Sequence, residues 1–202
     1  MAAGNSRRKI SKGTADAQYL NDKLQRIEEQ TARAAAIIEH MRMFGCGAKE
    51  DPEPIDTRMV VTNALGLVGE QLRLAGIEVV TELAQDCRSI LGHTIQLEQV
   101  FLNLITTDRD AMAERGGEAK ITLRLFEDDE GVHITSEDTG GGISEDTLPR
   151  IFEPFYTTKA IGKGTGLGLS VGYGVVRDMN ETIVAENIND GIRFTITLPI
   201  VS

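Results

Sequence analysis

Asp138-Thr-Gly-Gly-Gly-Ile143, Phe152-Glu-Pro-Phe-Tyr-Thr-Thr-Lys159 and Gly162-Lys-Gly-Thr-Gly-Leu-Gly-Leu-Ser170 are the runs whose reading decides the fold. Two glycine clusters flank an aromatic segment, and the second leads straight into an apolar helical pattern. Glycine lets the backbone reach positive φ and approach a ligand closely, so such clusters predict a loop closing over something. A helix opening at Gly166 points unpaired N–H groups and a partial positive charge at an anion, most simply a phosphate. Two common nucleotide fingerprints are absent. No G-x-G-x-x-G follows a strand, and the position where Walker A needs its first glycine is Thr157, with Gly164 where Ser or Thr must follow the lysine.

Outward from this stretch the chain alternates helices and strands. Val60–Leu74 reads as a helix ended by Gly76, and Thr94–Glu114 as a long helix stopped by Gly116-Gly117. Ile77–Leu83 and Arg88–Leu91 read as strands. Lys120–Phe126 and Val132–Glu137 alternate as a hairpin turned at Glu127–Gly131, and Thr182–Ile188 and Arg193–Pro199 as a second, turned at Asn189-Asp190-Gly191. A helix from Gly166 to about Met179 lies between the two hairpins. Largely hairpin-linked strands with helices stacked on one face predict a two-layer α/β sandwich.

The N-terminal part is different. Over residues 17–45, Leu20, Leu24, Ile27, Thr31, Ala34, Ile38 and Met41 alternate steps of four and three. This heptad seam of about three repeats calls for a partner helix and self-association in a helical bundle. Residues 46–56, with two prolines and four acidic side chains, read as a linker. The expected division is therefore a helical segment over 1–45, a linker over 46–56 and an α/β domain over 57–202.

A net charge of −10 argues against nucleic acid as a partner. No apolar run approaches a membrane span and no signal-peptide core opens the chain, so no membrane contact and a cytoplasmic location are expected. Cys46 and Cys87 read as reduced thiols without metal-ligand spacing.

Four parts now stand in fixed order. The helix 94–114 carries Asn103, Thr107 and Asp110 on one face, Asp138 ends a strand before glycines, an aromatic segment precedes a glycine-rich lid, and a helix N-terminus completes the set. This order resembles the N, G1, F and G2 boxes of the histidine-kinase ATP-binding domain, in the class shared with DNA gyrase, Hsp90 and MutL. Gly191–Pro199 resembles the segment that closes that domain, so the likeness covers essentially all of residues 57–200.

The resemblance implies ATP with Mg²⁺ as the bound nucleotide. By position it gives Asp138 the adenine amino group, Gly140, Gly142 and Ile143 the turn beside the base, and Phe152, Phe155 and Tyr156 the packing of the lid. Gly164, Thr165, Gly166, Leu167 and Gly168 fall at the phosphates with Lys163 or Lys159 as point charges. Asn103 and Lys159 take catalytic positions, Asp110 a cofactor-facing one, and Asn103 and Thr107 the metal. Thr107 departs from the family's asparagine, and a hydroxyl is a weaker Mg²⁺ ligand. Asp108 replaces a small apolar residue and is expected to add negative charge near the phosphates unless it binds Mg²⁺ or points to solvent.

By the same resemblance residues 17–45 are the second helix of a dimerisation hairpin, with residues 1–10 the far end of a first helix. The phosphoacceptor histidine belongs upstream; His40 lies on the wrong helix, so autophosphorylation by this chain alone is not expected. The implied function is transfer of the ATP γ-phosphoryl to a histidine in a phosphorelay, with a response-regulator receiver domain as partner of the full-length protein. Asparagine at 103 cannot serve as the general base that hydrolytic relatives use. The alternative is a degenerate kinase-like module that binds nucleotide weakly or not at all and serves in protein interaction.

Overall fold

The computed structural model describes Asp16 and residues 18–27, 30–31, 34, 51–115, 117–159 and 164–200. Residues 18–27 are helical, as the heptad pattern expects, and Leu24 and Ile27 are more than half exposed. The seam beyond Ala34, His40, Cys46, the first half of the acidic stretch and Lys163 lie outside the described residues.

Helix α1 (Thr57–Leu74) begins where Asp56 accepts hydrogen bonds from Arg58 N at 2.9 Å and Met59 N at 3.4 Å. It buries Val60, Val61, Ala64 and Leu72 on one face and stops where Gly76 takes a φ of 71°. Asp56 thus supplies a cap, and the helix starts three residues before the expected Val60. Asp56→Ala is expected to cost about 1 kcal/mol, read as a lowered midpoint in urea at unchanged slope. The residues just before it form β1 (Glu53–Ile55), which pairs antiparallel with β3 (Ile90–Gly92) in a small sheet of its own.

The main sheet runs β2 (Glu78–Leu83), β4 (Lys120–Glu127), β5 (Val132–Asp138), β7 (Ile192–Leu198), β6 (Thr182–Asn187). Only β2 and β4 are parallel, because the chain between them crosses through β3 and α2 (Thr94–Arg115); the other neighbours are antiparallel. One face presents Ile121, Leu123, Leu125, Ile134, Phe194 and Ile196 to the helices, and all are essentially solvent-free. The helices α1, α2 and α3 (Gly168–Asp178) close that face, α2 and α3 packing closely where Gly172 meets Val100. This is the two-layer α/β sandwich.

Across the outer face runs a ladder of alternating charge, one residue per strand: Glu82, Arg124, Glu137, Arg193, Glu186. Burial raises the central Glu137 carboxyl, but the two flanking guanidinium groups more than offset this and leave it below its usual range. No helix among the described residues is long and apolar enough to cross a membrane.

Candidate functional site

Between α2 and the lid lies a cavity of about 630 Å³, a size that suits a nucleotide-scale ligand. From α2 it takes Asn103, Thr107 and Asp110; from the first glycine cluster, Gly142 and Ile143; from the lid, Lys159, Gly164, Thr165, Gly166 and Gly168. The sequence-derived candidates therefore largely converge on one space. Lys163 falls outside the described residues, and Leu167, Phe155, Gly140 and Asp138 do not line it.

The helix opens at Gly168, two residues later than expected, and Leu167 gives it no side-chain cap. Its first N–H groups are left to water or to a ligand. Gly166 instead serves the crossing of two segments. With φ at 65° its carbonyl accepts Phe155 N at 2.9 Å, and a Cβ there would meet the Phe155 carbonyl carbon at 2.5 Å.

The aromatic segment divides. Phe152 packs inward against Tyr173 and Phe194, with centroids 5.1 and 6.4 Å away. Tyr156 lies under Arg150 at 4.2 Å and donates to Thr147 Oγ1 at 3.3 Å. Phe155, expected to help pack the lid, does not: it is 53% exposed, on a backbone turned to φ 67°. The crossing at Gly166 sets that turn and aims the ring outward.

Asn103 is held at both ends. Its Oδ1 accepts Gln99 Nε2 at 3.0 Å and its Nδ2 donates to Gly168 O at 3.0 Å, fastening α2 to the start of α3. The Thr107 hydroxyl donates back to Asn103 O at 2.7 Å. Asp110 is bracketed by cations: Arg109 donates to Oδ1 at 2.8 Å, and Lys159 Nζ to Oδ2 at 2.5 Å. Burial raises its carboxyl, but these bonds more than offset that and leave it below the ordinary carboxylate range.

Asp108 is the clearest correction. It neither faces the cavity nor reaches solvent: at 1% exposure it points at the sheet, where Ser136 Oγ donates to its Oδ2 at 2.5 Å and its carboxyl hydrogen-bonds Asp138. The physical reason is helix periodicity. Asp108 continues the buried stripe Leu97, Phe101, Leu104, Met112, on the side of α2 opposite Asn103, Thr107 and Asp110. Asp138 is 2% exposed and accepts Gly140 N on Oδ1 as well as Ile192 N. Asp108 Oδ1 and Asp138 Oδ2 have no other protein partner. Two carboxylates cannot hydrogen-bond, so the pair carries a proton. Burial first, then the Asp138 charge, hold Asp108 well above the usual range, against the pull of Ser136. Asp138 is also raised by burial, opposed by its two backbone donors.

Three supporting residues escaped the sequence reading. Asn187 clamps the glycine turn, accepting Ile143 N at 2.8 Å and donating to Ile143 O at 2.6 Å. Arg115 donates to both Thr139 O and Asp190 O at 2.7 Å, tying the end of β5 to the β6–β7 turn. Gln30, from the N-terminal helical residues, reaches the cavity. None has a local sequence signal, because each acts across long sequence separation. Gln99 was not read from the sequence either, although its place one helical turn before Asn103 is a local signal that could have found it.

A family model described as histidine kinase-, DNA gyrase B-, and HSP90-like ATPase matches residues 92–202. The two-component sensor PprA of Pseudomonas aeruginosa is 38% identical over 204 residues, covering 99% of this chain and 22% of that protein. The sensor kinase CckA of Brucella abortus is 35% identical, covering 86% of this chain and 20% of its own length. The chain thus spans about a fifth of these relatives. Among solved structures, the catalytic domain of histidine kinase ThkA superposes with a TM-score of 0.66 at 25% identity, over 74% of this chain and 96% of that one.

Proposed function

Because the chain belongs to the family of histidine kinase-, DNA gyrase B- and HSP90-like ATPases, we propose that it is the ATP-binding catalytic core of a two-component sensor histidine kinase. It transfers the γ-phosphoryl of ATP to a histidine on a dimerisation helix. One observation carries this reading: residues from the α2 face, the glycine turn and the lid meet around a single cavity of about 630 Å³. The similarity to sensor kinases supports it.

In this reading Asp138 is the carboxylate that takes the adenine amino group, as its position at the end of β5 before the glycine turn implies. A charge-assisted bond of that kind reads an exocyclic amine. Gly142 and Ile143, clamped by Asn187, set the turn beside the base. The uncapped start of α3 and Lys159 face the phosphates. Asn103 positions the start of α3 and is no general base, so the chain orients reactants and stabilises charge and takes no covalent part. Mg²⁺ bound with ATP would supply neutralisation of phosphate charge. Asn103 and Thr107 fit it poorly as direct ligands, because Oδ1 of one already takes Gln99 and the hydroxyl of the other is directed to backbone. The receiver domain of a response regulator is the onward partner, residues 17–45 mediate self-association, and the location is cytoplasmic.

The test is a calorimetric titration with ATP in Mg²⁺, followed by γ-labelled ATP and a separately supplied phosphoacceptor hairpin. Saturable binding and acid-labile label on the supplied hairpin are expected, with none on His40. Absence of ATP binding at millimolar concentration would sink the proposal.

A further inference from the structure

Asp110 and Lys159 occupy a distinctive place. Among the described residues lining the cavity, Asp110 holds the one carboxylate and Lys159 the one ammonium group. They are bonded to each other at 2.5 Å across the gap between α2 and the lid. The two sides of Asp110 differ. Oδ1 is fixed by Arg109, which is itself tethered to Gln71 of α1 at 3.0 Å, so the carboxylate is held from the protein side. Oδ2 is held only by Lys159, whose side chain is 23% exposed.

Hard divalent cations take oxygen ligands, and Mg²⁺ in particular binds through one or two carboxylates together with substrate phosphates. A cation–nucleotide complex presents both signs of charge at once. We propose that Asp110, and not Thr107 or Asn103, receives the divalent cation of that complex, and that the Asp110–Lys159 pair exchanges for two contacts with it: carboxylate to cation, ammonium to phosphate. Charge balances throughout, since one ion pair is replaced by two of the same sense. Arg109 keeps Oδ1 in place during the exchange, and Oδ2 is released when Lys159 turns to the phosphate. This inference rests on the nucleotide-binding reading above and names how that site takes its cation.

The experiment is ATP binding by calorimetry, in Mg²⁺ and in EDTA, for the unaltered chain, Asp110→Asn and Lys159→Met. The unaltered chain should bind more tightly in Mg²⁺. Asp110→Asn should remove most of that gain, about tenfold or more, as expected for loss of a close opposite charge. Its affinity in EDTA should stay level or rise, because a negative charge near the phosphates is gone. Lys159→Met should weaken binding in both buffers and leave the Mg²⁺ ratio standing. Asp110→Ser, carrying no charge and less bulk, repeats the test should the asparagine variant fail to fold, as thermal melting would reveal. A Mg²⁺ ratio unchanged in a folded Asp110 variant overturns the proposal and returns the cation to Asn103 and Thr107. Failure of the unaltered chain to bind ATP in either buffer overturns the functional reading and this inference together, and is distinguishable from the first outcome.

Discussion

Gly191→Ala is expected to destabilise the protein severely and to abolish nucleotide binding with it. Gly191 sits in the turn between β6 and β7, directly against the end of β5. A Cβ there would lie 1.8 Å from Asp138 O, 2.6 Å from its carbonyl carbon and 2.7 Å from its Oδ1. Two of these three atoms are backbone, so no rotamer relieves the clash. Either β7 peels from β5 or the Asp138 peptide moves. Both routes break what surrounds it: Gly141 N bonds to Asp190 O at 2.8 Å, Arg115 bridges Thr139 O and Asp190 O, and Ile192 N donates to the Asp138 carboxylate. Overpacking that demands backbone shifts costs about 1–3 kcal/mol and occasionally more. This site, where backbone atoms block every escape, belongs at the high end of that range, against a net stability of about 5–15 kcal/mol for an ordinary domain. Thermal melting followed by circular dichroism, paired with ATP titration, reads both effects. A variant melting within a degree or two of the parent would mean that the turn yields freely, and would refute the packing argument.

Asp108→Asn is expected to raise stability, and to raise it more at pH 8 than at pH 5. The folded protein keeps a proton on the buried Asp108–Asp138 pair that the unfolded chain gives up above the ordinary carboxylate pKa. Folding therefore takes up a proton at pH above the ordinary carboxylate range. Stability contributed by the protonated pair is complete below the unfolded pKa and is lost as pH rises toward the elevated folded value. Asparagine needs no proton: its carbonyl can accept Ser136 Oγ and its amide can donate to Asp138 Oδ2. The gain at pH 8 should be about 1–3 kcal/mol, the scale of a buried polar atom left without its partner. Asp108→Ala should gain less, because it strands Ser136 Oγ and Asp138 Oδ2. Denaturant midpoints at the two pH values measure this, and a parent and an asparagine variant with parallel pH dependence would remove the shared proton from the account.

The pair also relocates a doubt raised by the sequence. Asp108 looked like a charge placed against the phosphates. Buried beneath the glycine turn, it bears on Asp138 and leaves the charged groups of the cavity to Asp110 and Lys159. A sequence signal for this existed: counting from Leu97 and Phe101 puts position 108 on the core stripe, and β5 alternation puts Ser136 and Asp138 on the face it meets. The apolar stripe was legible; that an aspartate could occupy it was not, because a buried carboxyl is costly unless a partner stands opposite.

What the sequence determined by itself was local and ordered. Hydrophobic periodicity placed α1, α2, α3 and strands β2 to β7 to within a few residues but missed β1, which lies in the stretch read as a linker. The sequence of glycine clusters, aromatic segment and α2 polar face pointed to one class of nucleotide-binding fold. Side-chain period fixes which residues share a face, and turn chemistry fixes where elements stop, so neither needs tertiary information. Only the folded chain decided which faces meet. It paired β2 in parallel with β4, turned Phe155 outward, set Asp108 against Asp138, and joined Asp110 to Lys159, 49 residues apart. Those choices depend on distances between segments remote in sequence. Charge pairing and desolvation act through space, and no window along the chain contains both partners.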